Sequence, residues 1–164
     1  MSAIDHLVQA NHDYVARFPG PRPLRPKLRL AVIACMDSRL DLFGALGLEI
    51  GDAHLIRNAG GVITDDVLRS LAISQRFLGT QAVMLIHHTQ CGMEGLDDAA
   101  FRAQLAAETG AEPTWDAHGF TDVYADMRES IARVRECPWI PSRDEVRGFV
   151  FDVATAKIDE VIVP

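Results

Sequence analysis

Apolar positions along this chain follow two rhythms. Runs that are apolar almost throughout stand at LRLAVIAC (28–35) and TQAVMLIHH (80–88), and AHLIRNAGG (53–61) reads as another strand running into a loop with two glycines. Short runs without polar alternation predict strands buried on both faces. Between and after them, helical spacing predicts helices at about 40–46, 64–78, 97–108 and 121–136. Thr64 stands where it caps its helix, with Asp65 and Asp66 in the first turn, where the helix dipole favours negative charge. The closing stretch RGFVFDVATAKIDEVIV (147–163) reads as a strand, a turn and a second strand.

The first 27 residues differ. Ile4, Leu7, Val8, Val15 and Phe18 predict an amphipathic helix over 3–18 with Ser2 as its cap. PGPRPLRPK (19–27) then holds four prolines in nine residues, which excludes helix and predicts a stiff extended arm. A helix held off by such an arm has little core of its own and is expected to pack on a partner subunit.

Strands alternating with helices predict an α/β fold. The expectation is three layers: a mainly parallel four-stranded sheet in the order 2-1-3-4, an added antiparallel C-terminal strand, and helices on both faces. Strands one and three then lie side by side, and the crevice above their carboxyl ends is the topological switch point where open α/β sheets bind ligands. Cys35 ends the first strand, and His88 and Cys91 end the third.

Composition narrows the function classes. A chain of 164 residues predicts one domain, 1–164, large enough to bury a core. Its net charge of −7 argues against a nucleic-acid partner. No apolar run reaches the roughly 20 residues of a membrane span, and no signal peptide is recognisable, so a cytoplasmic protein is expected. The three cysteines, Cys35, Cys91 and Cys137, are an odd number, which in a reducing compartment points to burial, reactivity or metal rather than disulfides.

Two thiolates and one imidazole at one point suit Zn2+, and three protein ligands with an open fourth position is the pattern of catalytic zinc. The plainer reading is that Cys35 and Cys91 are small buried hydrophobes. Cys137, beside Pro138 and Trp139, has no ligating company. Asp37 and Arg39 follow Cys35 at a spacing that allows an ion pair. Unpaired, Asp37 would close the metal site as fourth ligand. Held by Arg39, it would leave that position to water. A phosphatase-type loop would need arginine at 41, where Asp41 stands, and no Cys-x-x-Cys pair, dinucleotide fingerprint, Walker loop or deaminase signature occurs.

Cys35-Met-Asp37-Ser-Arg39, the Arg57-Asn58-Ala59-Gly60-Gly61 turn and His88-Thr-Gln-Cys91-Gly92-Met93 together resemble the β-class carbonic anhydrases, in their small archaeal and actinobacterial form. The resemblance covers nearly the whole chain. It implies Cys35, His88 and Cys91 as zinc ligands and Asp37 with Arg39 as the catalytic dyad, Asp37 ligating only in a closed state. It also implies a homodimer or dimer of dimers in which the N-terminal helix embraces its neighbour. Two positions depart from the pattern: Gln90, where small relatives often carry aspartate, and Pro26, where the plant type has a substrate-contacting glutamine.

The expected reaction is reversible hydration of carbon dioxide to bicarbonate by a zinc-bound hydroxide, oriented by Asp37. Two thiolates make zinc a weaker Lewis acid than three histidines do, so hydroxide is expected at somewhat higher pH. His54 and His87 are candidate proton relays, each equally readable as a structural histidine. Arg57 reads either as an anion contact or as an anchor for the Gly60–Gly61 loop. Two rivals stand beside this reading: a carbonyl sulfide or carbon disulfide hydrolase on the same scaffold, and a zinc protein without turnover, with Asp37 permanently ligated.

Overall fold

The structure is a computed structural model that describes residues 2–163; Met1 and Pro164, the two ends of the expected domain, lie outside the described residues. Helix α1 spans Ala3–Val15, and strand β1 spans Leu30–Cys35. There follow α2 (Leu42–Leu46), β2 (Ala53–Asn58), α3 (Asp65–Arg76), β3 (Ala82–His88), α4 (Asp98–Thr109), α5 (Val123–Glu136), β4 (Val146–Phe151) and β5 (Ile158–Val161). The sheet runs β2-β1-β3-β4-β5. Its first four strands are parallel, and β5 closes the edge antiparallel to β4. This is the expected α/β architecture.

Local chemistry sets the boundaries. At α1, Ser2 and Asp5 form a reciprocal capping box: the Ser2 hydroxyl accepts from the Asp5 amide, and the Asp5 carboxylate accepts from the Ser2 amide. The helix stops at Val15 rather than the expected 18, because Phe18 precedes Pro19 and is driven from helical geometry. Strand β1 begins at Leu30, two residues later than its apolar run, because Arg29 takes a left-handed turn with φ of 52°. Strand β2 stops at Asn58, and Ala59–Gly61 form a short 3₁₀ turn. Thr64 caps α3 as expected, accepting from the Val67 amide.

The core lies along β1 and β3, where Ala31, Val32, Ile33, Ala34, Leu85 and Ile86 are wholly buried. Helices α3 and α5 lie over one face. His54 pairs with Ala31, Ala31 pairs with Val83, and His87 follows Val83 by four residues, so His54 and His87 share that face. Ser74 of α3 meets His54 there, and Asp126 of α5 meets His87. Helix α1 contributes nothing to this core. It has no buried residue, and Ile4 and Leu7 are each 71% exposed. Among the described residues, no helix is long and apolar enough to cross a membrane.

Candidate metal centre

The parallel register of β1 and β3 carries both strands to the same end of the sheet, where each runs into a turn. Cys35 closes β1, His88 closes β3, and Cys91 follows in the turn beyond. Their ligand atoms lie within 4.8 Å of one another, and all three residues are buried. The thiol sulfurs are 4.0 Å apart. Two sulfurs on one tetrahedral zinc, each at about 2.3 Å, stand about 3.8 Å apart. The imidazole is prepared on the same terms. His88 Nδ1 donates to the Thr89 carbonyl at 2.9 Å, which leaves Nε2 as the bare nitrogen. That Nε2 is buried and has no hydrogen-bond partner among the described residues. Leaving such an atom unpaired is costly unless an electrophile meets it. The donor set therefore fits zinc.

Electrostatics agree. The hydrogen bond from the Cys91 thiol pulls the Cys35 pKa down, against burial, and the same bond together with burial pushes Cys91 up. One proton of the pair leaves readily and the other is held; a cation removes the reason for holding it. Burial depresses His88, but its contacts with Cys35 and the Thr89 carbonyl outweigh that and leave its pKa raised.

Asp37 and Arg39 sit on the turn leaving β1. Arg39 Nε donates to Asp37 Oδ1 at 3.0 Å, and Nη2 donates to Oδ2 at 2.7 Å. The Arg39 amide adds a third bond to Oδ1 at 2.9 Å. These bonds, the guanidinium's first, hold the Asp37 pKa well below the usual carboxylate range. Oδ2 nonetheless stays 3.7 Å from His88 Nε2, at the border of the cluster.

Arg57 does something the sequence did not indicate. Its guanidinium bonds go to the β1 turn and not to the glycine loop. From β2 it crosses beneath the β1 turn, where Nε donates to the Cys35 carbonyl at 2.9 Å, Nη1 to Leu40 at 3.2 Å and Nη2 to Asp37 at 2.6 Å. The available signal was register: Arg57 pairs with Ala34, one residue before Cys35. Gly61 closes the same region. Its φ is 70°, and a Cβ there would stand 2.7 Å from the Cys35 amide nitrogen, so only glycine lets the β2 turn approach the β1 end.

Other sequence candidates fall elsewhere. His54 lies near the start of β2, in register with Ala31. That is four residues short of the Cys35 level, roughly 13 Å along the strand, and Ser74 holds its Nδ1 at 2.8 Å. His87 points away from the cluster toward Asp126. Cys137 is buried at the end of α5, outside the cluster. Beside the Cys91 turn lies a cavity of about 460 Å³, walled mainly by Ala59, Val62, Met93, Leu96, Phe101 and Trp115.

With this geometry in place, comparison with known proteins is informative. The family model described as carbonic anhydrase matches residues 30–118. β-Carbonic anhydrase 1 of Mycobacterium tuberculosis is 48% identical over 161 residues, covering 98% of this chain and 99% of that protein. A carbon disulfide hydrolase of Acidianus sp. is 46% identical over 179 residues, covering 94% of this chain and 87% of that protein. The crystal structure of a carbonic anhydrase from Streptococcus mutans superposes with a TM-score of 0.92 at 43% identity, covering 99% of both chains. The fold, the cysteine–histidine–cysteine cluster and these similarities agree, and the chain belongs to the β-class carbonic anhydrases.

Proposed function

We propose that the chain catalyses the reversible hydration of carbon dioxide to bicarbonate and a proton, with Cys35, His88 and Cys91 holding Zn2+. The observation that carries this is the convergence of three buried ligand atoms, one of them the unpartnered His88 Nε2. When bound, zinc supplies Lewis acidity that brings the pKa of a coordinated water to near neutrality. Asp37 is the orienting group: ionised and fixed by Arg39, it offers Oδ2 beside the cluster to accept the attacking water's hydrogen bond. Arg39 keeps Asp37 from ligation by occupying both its oxygens. Its Nη2 also donates to the Gln90 carbonyl at 3.0 Å, so it ties the two ligand-bearing turns together. The apolar cavity beside Cys91 suits a neutral, linear substrate.

Stopped-flow carbon dioxide hydration by the zinc-loaded protein, from about pH 6.5 to about 9, tests the reading. Activity that rises through that range and disappears in Cys91→Ala supports it. The Acidianus relative favours a second reading, hydrolysis of carbon disulfide or carbonyl sulfide. Activity on those substrates, with no carbon dioxide hydration at any pH, selects it.

The assembly reading is a homodimer or dimer of dimers through residues 1–27. Support comes from α1, whose apolar stripe meets no core in its own chain. The cytoplasmic reading rests on three free cysteines, two of them within reach of one another, which a reducing compartment keeps as metal-ready thiols.

A further inference from the structure

His87 is wholly buried one residue before His88, on the face opposite the metal cluster. Its Nε2–H donates to Asp126 Oδ2 of α5 at 2.6 Å. Its ring lies nearly parallel to that of Phe120, with centroids 5.9 Å apart and planes at 12°. Phe120 is in turn bonded by its backbone to the turn after Cys91: its amide donates to the Met93 carbonyl at 3.2 Å, and its carbonyl accepts from the Gly95 amide at 2.7 Å. One short segment, Phe120 to Asp126, therefore grips both flanks of the His88–Cys91 turn. It holds the entry through His87 and the exit through Met93 and Gly95. Phe120 and Asp126 also lie beyond the stretch 30–118 that the family model matches.

We propose that this segment is a clamp for the metal-binding turn, with Asp126 as a positioning residue that acts through His87. The inference rests on the zinc reading above. The turn carries two of the three ligands, and Gln90 at its apex takes a left-handed φ of 56°, a conformation that needs support from outside the turn. Thr89 supplies one support, its amide donating to the Phe151 carbonyl of β4 at 2.9 Å. Arg39 supplies a second through the Gln90 carbonyl, and His87–Asp126 supplies a third, from α5. A part-buried hydrogen bond of 2.6 Å to a wholly buried ring that is itself stacked fixes the β3 end in position and rotation, and so fixes where His88 Nε2 points. With the clamp intact the three ligand atoms are preorganised. Without it the turn must be ordered at the moment of metal binding, and the metal leaves faster.

The test is transfer of zinc from the loaded protein to the chromogenic chelator 4-(2-pyridylazo)resorcinol, with thermal unfolding of the metal-free protein measured in parallel. Asp126→Ala is expected to lose zinc about 10-fold faster than wild type, the low end of the range for removing a direct partner of a metal ligand, because Asp126 acts one residue away from His88. Asp126→Asn, whose amide oxygen still accepts from His87, is expected to recover most of that loss. His87→Phe keeps a ring against Phe120 and deletes only the donor; it should behave as Asp126→Ala, and it answers the question should the alanine variant not fold. Zinc loss at the wild-type rate in Asp126→Ala and His87→Phe overturns the clamp, even if the metal-free protein melts earlier, since that outcome assigns the pair to the fold alone. A wild-type protein that takes up no zinc overturns the metal reading itself.

Discussion

The Arg39 guanidinium holds both oxygens of the Asp37 carboxylate, at 3.0 and 2.7 Å, while leaving Oδ2 3.7 Å from His88 Nε2. One carboxylate is thus paired and still borders the metal cluster. A bidentate fork fixes orientation as well as charge, which a single surface ion pair would not do. On the proposed zinc reading, that orientation is what separates an acceptor for water from a fourth ligand that shuts the site.

Replacing Arg39 with alanine is therefore expected to lower kcat/KM for carbon dioxide by about 10²- to 10³-fold, the usual loss for a preorganised polar group. Asp37 without its partner returns toward the ordinary carboxylate pKa and remains ionised near neutrality, so the loss comes from position rather than charge. Stopped-flow hydration across pH checks this. Unchanged turnover would remove the dyad from the mechanism.

Arg57 satisfies three carbonyls of the turn that carries Cys35 and Asp37. Arg57→Ala removes the side-chain donor to all three, although the Asp37 carbonyl still accepts from the Leu40 amide, and a loss of about 1–3 kcal/mol is expected. Arg57→Lys keeps the charge but not the planar fork and should recover only part. Urea unfolding of both variants measures the difference.

His54 carries a pH dependence of stability. Burial lowers its pKa, so the folded protein binds this proton less tightly than the unfolded chain does. The sign follows: its share of stability is complete above the ordinary histidine value of about 6.5 and is lost as pH falls below it toward the folded value. In unfolding curves between about pH 5 and 8, His54→Gln should flatten this part of the profile. A profile of wild-type shape would show that burial of the imidazole does not matter.

Helix α1 presents Ile4, Leu7 and Val8 to solvent. If a second copy covers that stripe, Leu7→Glu buries a charge in the contact and the assembly should fall to monomers, read by sedimentation velocity at fixed concentration. An unchanged sedimentation coefficient would place the subunit contact elsewhere.

Much of the architecture and the site was legible because local chemistry states it. Apolar runs with no alternation announce strands buried on both faces, and their alternation with helices leaves few parallel topologies. Cys35 and His88 both end such strands, so the switch-point topology alone places them together. Thr64 and Ser2 marked helix starts through short-range capping bonds. These features depend on neighbours within a few residues or on a period that a sequence displays.

What only the tertiary structure decided lies in partners chosen across long separations. His87 and His88 are adjacent and face opposite ways by the pleat, but the pairing of His87 with Asp126 spans 39 residues and depends on how α5 sits on the sheet. Arg57 reaches the Cys35 turn only because β2 lies beside β1 in that register. Gly61 had to be glycine because two turns approach within van der Waals distance, which no local spacing reveals. Residue types and periodicity determined the elements and the thiol and imidazole chemistry at their ends. Packing geometry, a property of the whole sheet and its helices, decided which side chains hold those ends in place.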